Sequence, residues 1–177
     1  MNLKLLKEKA EKIKWFVFDV DGVLTDGKIT YDSEGREIKS FCVKDGIGIY
    51  MLHLAGIKTA IITGRQSEIV IKRSIELNIS EVFQNSKNKL EHYNQLKEKY
   101  SLKDEEILYI GDDIVDIPLL KRVGFPVTVP SAPEEVKNFA VYVTIKEGGN
   151  GAVREITDLV LKLQNKYDEI IKKYCEM

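Results

Sequence analysis

The sequence predicts an α/β fold of the Rossmann-like, doubly wound kind, a mostly parallel sheet covered by helices on both faces, and three observations predict it. Short apolar runs recur along the chain: WFVF at 15–18, TAII at 59–62, EVF at 81–83, ILYI at 107–110, PVTV at 126–129 and VYV at 141–143. Helically patterned segments separate them, and the polar clusters Asp19-Val20-Asp21-Gly22, Thr63-Gly64-Arg65 and Gly111-Asp112-Asp113 directly follow three of the runs. Continuous apolar runs alternating with helix-length segments read as strands buried on both faces and joined by crossover helices.

Helices are expected at about 3–13, 46–55, 66–77, 87–99, 114–122, 133–138 and 152–173. One segment departs from this rhythm. Residues 28–43, KITYDSEGREIKSFCV, alternate apolar and polar on either side of Ser33-Glu34-Gly35, which reads as a β-hairpin inserted after the first strand. It is placed to pack on a partner subunit or to overhang a site. The 177 residues suit one domain, 1–177, large enough to bury a central sheet without disulfides or a structural metal.

The net charge is −1, so no broad cationic footprint for nucleic acid is expected, and anion binding must be local. Cys42 and Cys175 form no CxxC pair and read as unpaired thiols of a reducing compartment. No apolar stretch approaches bilayer length, and the amphipathic N-terminus lacks the pattern of a signal peptide, so a soluble, cytoplasmic protein without membrane partners is expected. GxxxxGK[ST], HExxH and GxSxG are absent, and Gly46-Ile47-Gly48 lacks the third glycine of a dinucleotide fingerprint.

In an open parallel sheet, ligands bind beyond the carboxyl ends of the strands. Asp19 and Asp21, with Asp112 and Asp113 approaching from a neighbouring strand, would crowd negative charge there, which is costly unless a cation neutralises it. Oxygen-only ligands suit a hard ion that also binds phosphate, and so point to Mg²⁺. With such an ion, one Asp can attack phosphorus and become an aspartyl-phosphate while the other serves as general acid and base. The Thr63 hydroxyl and Gly64 N–H suit phosphoryl oxygens, and Lys89 the developing negative charge. Each feature has a plainer reading: Thr63 as a helix cap, Lys89 and Arg73 on a solvated face, 148–155 as a flexible turn and helix start.

Taken in order, DVDGVLTDG at 19–27, TGR at 63–65, Lys89 and GDDIVD at 111–116 resemble the four motifs of the haloacid dehalogenase superfamily. That resemblance implies Asp19 as nucleophile and metal ligand, Asp21 as acid/base with its carbonyl oxygen on the metal, Asp112 as third ligand, and Asp113 and Asp116 as supporting acids. VKDGIGI at 43–49, QNSKNK at 84–89 and GGNGAVREI at 148–156 extend it to the subfamily of 3-deoxy-D-manno-octulosonate 8-phosphate phosphatases. By resemblance to that subfamily the chain is a capless, Mg²⁺-dependent phosphomonoesterase that forms homotetramers and serves lipopolysaccharide synthesis. Substrate contacts are then implied for Asp21, the stretch Lys44, Asp45 and Gly46, and Thr63, Gly64, Arg65, Arg73, Lys89 and Arg154. Tyr50 stands where many relatives carry Lys, and Asn85 where a Gly usually follows the Gln. The alternatives are a phosphatase of another sugar acid, such as a nonulosonate 9-phosphate, and a non-catalytic binding or regulatory subunit with this fold. A receiver domain is disfavoured because its acceptor Asp is expected near the third strand, not paired at the end of the first.

Overall fold

The computed structural model describes residues 3–176; residues 1, 2 and 177, at the ends of the expected domain, lie outside them. Six strands form one sheet: β1 (Trp15–Phe18), β4 (Lys58–Ile62), β5 (Glu81–Phe83), β6 (Ile107–Ile110), β7 (Phe125–Thr128) and β8 (Tyr142–Val143), in the order β5-β4-β1-β6-β7-β8. Every pairing within it is parallel. The chain winds outward one way from β1 through β4 to β5 and the other way through β6 to β8, so the crevice between β1 and its neighbours is the topological switch point. All four residues of β1 and of β6 are buried, as helices on both faces require.

The helices are α1 (Leu3–Ala10), α2 (Val43–Leu54), α3 (Glu68–Glu76), α4 (Lys89–Tyr100), α5 (Ile117–Leu120), α6 (Glu134–Lys137), α7 (Ala152–Leu163) and α8 (Tyr167–Cys175). Three differ from expectation for identifiable reasons. α2 begins at Val43, before the glycines, which are accommodated inside the helix by close neighbours: a Cβ on Gly48 would sit 3.1 Å from the Arg154 Cα, where α2 and α7 pack backbone to backbone, and one on Gly46 would sit 2.7 Å from Arg73 Nη2 of α3. The helix expected over 152–173 is two, broken where Asn165 takes a left-handed φ of 57°. The segment expected over 114–122 opens with a tight 3₁₀ turn, Ile114–Asp116, before α5.

The hairpin is present between β1 and α2, but its ladder is short: β2 (Thr30–Tyr31) pairs antiparallel with β3 (Glu37–Ile38). Asp32 Oδ1 accepts the N–H groups of Glu34 and Arg36, and Gly35 supplies a φ of 77° at the turn. No described helix is long and apolar enough to cross a membrane, and both cysteines are unpaired.

Phe16 is fully buried in the central strand. Phe16→Ala is expected to lower the free energy of unfolding by about 3–5 kcal/mol in a urea titration; a loss below about 1 kcal/mol would contradict a close-packed sheet at this position.

Candidate active site

Asp19 stands directly after β1, and its N–H donates to the Ile110 carbonyl at 3.0 Å, which ties the first aspartate to the end of β6. Asp112 follows β6 after Gly111. Thr63 follows β4; its N–H donates to Phe83 O, and its carbonyl accepts the Ser86 N–H at 3.0 Å, which stitches the 63–65 loop to the loop entering α4. Lys89 is the first residue of α4, capped by Asn88. These residues, with Asp21, Gly64, Arg65, Ser86 and Asp113, line one open cleft of about 350 Å³ beyond the carboxyl ends of the strands. The structure thus brings together the residues of all four sequence clusters.

A buried ion cluster sets the geometry. Lys89 is 5% exposed and reaches Asp19 Oδ1 at 3.0 Å and Asp116 Oδ1 at 2.6 Å. Asp116, fully buried, also accepts the Tyr109 hydroxyl at 2.5 Å and, through Oδ2, the N–H groups of Asp112 and Asp113 at 2.9 and 3.1 Å. With its two oxygens engaged in this way, Asp116 serves to hold Lys89 and the Asp112 loop in place. Burial, then the Asp116 charge, push the Tyr109 hydroxyl well above its ordinary pKa, so it remains a donor. Burial opposes the charge on Lys89, but Asp19 and Asp116 prevail and hold its pKa above the usual lysine value.

One ammonium does not balance three carboxylates. Asp19, Asp112 and Asp116 each offer an oxygen within 4.8 Å of the others. Burial pushes Asp19 up to about 6, with Lys89 opposing and Asp116 adding to the rise. Burial, then Asp19 and Asp116, push Asp112 up to about 7. Such a cluster of hard oxygen donors, short of positive charge, fits a divalent cation such as Mg²⁺. Gly22 keeps the space clear: it takes a φ of 90°, and a Cβ there would fall 2.0 Å from Asp112 Oδ2.

Asp21 turns its side chain away from that cluster. Its carboxylate pairs with Lys39, whose side chain is 2% exposed, while Arg65 Nε faces Asp21 Oδ2 at 3.7 Å. Glu37 accepts from Arg65 Nη2 at 2.8 Å and from Ser67 Oγ at 2.5 Å. Lys39 and Glu37 come from the hairpin and were not singled out in the sequence. The available signal was their spacing in Glu37-Ile38-Lys39, which puts both on one face of a strand.

Five expected substrate contacts are not brought to the Asp19 cleft of the same chain. Asp45 is buried and accepts the N–H groups of Gly151 and Arg154 at 3.2 and 2.8 Å, so it caps α7 from α2. Lys44 and Arg154 line a separate groove, with Arg154 Nε on Asp158 at 2.7 Å. Arg73 and Gly46 border an apolar pocket under α2, and Arg73 pairs with Glu76 at 3.0 Å. The glycine-rich segment does reach the site, from behind: Gly149 N–H donates to Val23 O at 2.9 Å, and a Cβ on Gly148 would fall 1.7 Å from the Gly22 carbonyl oxygen. Asn85 has a φ of 53°, a conformation Asn tolerates nearly as glycine does, and Tyr50 packs edge-on against Tyr174 of α8 at 6.4 Å.

A family model described as haloacid dehalogenase-like hydrolase matches residues 67–156, which include Lys89 and the 111–116 cluster. The 3-deoxy-D-manno-octulosonate 8-phosphate phosphatase of Escherichia coli K12 is 44% identical over 161 residues, covering 91% of this chain and 86% of that protein. The chain belongs to this phosphatase family. A crystal structure of the Moraxella catarrhalis member, in complex with magnesium, phosphate and KDO, superposes with a TM-score of 0.95 at 42% identity, covering 98% of this chain and 99% of that one. The cobalt-bound Haemophilus influenzae member gives a TM-score of 0.86 at 42% identity over 90% of this chain and 93% of that one. Between Asp21 and β4 the chain is taken up by the hairpin and α2, with no further element for a cap.

The carboxylate cluster has a signature in stability. The folded-state pKa of Asp112, about 7, lies above its ordinary value of 3.8, so in metal-free protein its contribution is neutral below about pH 4, grows unfavourable between about pH 4 and 7, and stays at that cost above. With a chelator, Asp112→Asn is expected to be more stable than wild type at pH 8, by on the order of a few kcal/mol, with the difference vanishing towards pH 4. Saturating Mg²⁺ reverses the order at pH 8. Thermal melts check both, and equal stability at pH 8 in chelator would contradict the crowding.

Proposed function

We propose that the chain hydrolyses 3-deoxy-D-manno-octulosonate 8-phosphate to 3-deoxy-D-manno-octulosonate and phosphate, with Mg²⁺ and through an aspartyl-phosphate on Asp19. The observation that carries the reading is the joint placement of Asp19, Asp112 and Lys89 in one cleft at the switch point of a chain 44% identical to such a phosphatase. Asp19 and Asp112 side chains and the Asp21 carbonyl would hold the ion, which when bound supplies charge neutralisation for a carboxylate approaching a phosphate dianion. An Asp19 oxygen attacks phosphorus in line and the bond to the sugar oxygen breaks. Asp21 gives its proton to that leaving oxygen, then takes one from the water that cleaves the acyl phosphate. The Thr63 hydroxyl, the Gly64 N–H and Lys89 hold the equatorial oxygens, and Lys89 stays charged between Asp19 and Asp116 throughout. Arg65, at the rim, offers a planar fork to the sugar carboxylate.

The chain acts as one domain in a cytoplasmic homotetramer. Support for assembly comes from apolar side chains left exposed on α2, where Val43, Ile47, Tyr50 and Leu54 recur at helical spacing, and from Ile29, Tyr31 and Ile38 of the hairpin. Lys44, Asp45, Gly46, Arg73 and Arg154 contribute to substrate binding across that assembly or by buttressing α2 and α7.

Phosphate release from the octulosonate ester, other phosphosugars and a nonulosonate 9-phosphate is the test. Strong turnover of the octulosonate ester, abolished by chelator, restored by Mg²⁺ and reduced at least about 10⁴-fold in Asp19→Asn, is expected. Preference for another ester would discard the sugar and keep the mechanism, whereas full activity in Asp19→Asn would discard the mechanism.

A further inference from the structure

The hairpin is more than an assembly element. β3 and the residue after it carry Glu37 and Lys39 on one face, and that face turns inward: their side chains are 17% and 2% exposed, while Ile38 between them is 48% exposed. Lys39 reaches Asp21 Oδ1 and lies 3.5 Å from Glu37 Oε1. Arg65 closes the arrangement from the β4 side, with Nη2 on Glu37 Oε1 at 2.8 Å and Nε facing Asp21 Oδ2 at 3.7 Å. Ser67 Oγ fixes the other Glu37 oxygen at 2.5 Å, and the Ser67 N–H is itself held by Gln84 at 2.5 Å. The Asp21 carboxylate is thus bonded to Lys39 and faced at longer range by Arg65, and Glu37 pairs with both cations.

An ammonium this deeply buried is maintained only if its charge is matched; Glu37 supplies the match throughout, and Asp21 adds to it whenever it is ionised, between giving its proton and taking one back. A carboxylate exchanging a proton with a leaving oxygen must be held to within a few tenths of an ångström, and a fixed buried cation does this better than solvent. We infer that Lys39 is a positioning residue for the phosphoryl-transfer step: it holds the Asp21 carboxylate where it meets the leaving oxygen, and Glu37 in turn holds Lys39 and Arg65. This rests on the reading of Asp21 as acid/base. It also ties hairpin conformation to catalysis within one chain, so that whatever seats the hairpin also seats the acid.

Leaving-group dependence tests it. An alkyl phosphate such as a sugar ester needs a proton delivered to its leaving oxygen, whereas p-nitrophenyl phosphate releases a stable phenolate and does not. kcat/KM covers only binding and phosphoryl transfer, so the later hydrolysis of the acyl phosphate does not enter the comparison. Lys39→Met is expected to lower kcat/KM for the octulosonate ester, or whichever sugar ester the wild type turns over best, by on the order of 10²-fold and for p-nitrophenyl phosphate by less than about threefold. Lys39→Arg restores most of the loss, and Lys39→Met adds nothing further on an Asp21→Asn background. Equal losses on both esters would overturn the inference by showing general damage to the cleft, as would no loss on either, or a full additional loss in the double variant. The wild type's own substrate preference and the single effect of Asp21→Asn test the underlying reading separately from these ratios.

Discussion

Three carboxylates share one buried ammonium at the ends of two adjacent parallel strands, and the rest of the site follows from that imbalance. Lys89 sits between Asp19 and Asp116, leaving Asp112 without an ion pair among the described residues and both Asp19 and Asp112 displaced upward in pKa. In water such crowding would relax by separation. Here it cannot, because Asp19 is fixed by the β1–β6 ladder and the Asp112 loop is drawn in by Asp116, which accepts the Asp112 and Asp113 N–H groups. The fold therefore holds a site poised for a divalent cation and, with it, a dianionic phosphate.

Backbone space is the second constraint. Gly22 lets the loop after β1 pass against Asp112, and Gly148 and Gly149 let the glycine-rich segment press on that loop from behind. Asp45 completes this support by capping α7, which starts just after the segment. Residues outside the carboxylate cluster thus buttress the loop that carries Asp21, and the close α2–α7 packing at Gly48 belongs to the same scaffold.

Much of this was legible in the sequence because it rests on local signals. Apolar runs marked all six strands, and the three polar clusters after them marked the cleft, since in a parallel sheet position along the chain already places a residue at the carboxyl edge. What escaped detection was long-range. The alternation in Glu37-Ile38-Lys39 puts Lys39 and Glu37 on one strand face, but which face turns inward is decided only when the hairpin folds back on Asp21. Asp116 read as a supporting acid, and what it supports, Lys89 and the Asp112 loop, is seen only in three dimensions. The resemblance implied substrate contacts for Arg73 and Arg154, and within this chain they pair with Glu76 and Asp158. The break at Asn165 carried no glycine or proline to announce it.

Because the imbalance is electrostatic, it is read most directly from the protons that leave when a cation enters. Calorimetric titration of Mg²⁺ into chelator-treated protein at pH 6.5, repeated in buffers of different ionisation enthalpy, measures them. Asp19 near 6 and Asp112 near 7 predict release of on the order of one proton per ion bound, diminishing towards pH 8 and largely lost in Asp112→Asn. Tight Mg²⁺ binding with no proton release at pH 6.5 would contradict the account, because it would mean that these carboxylates are already ionised and that no crowding awaits relief.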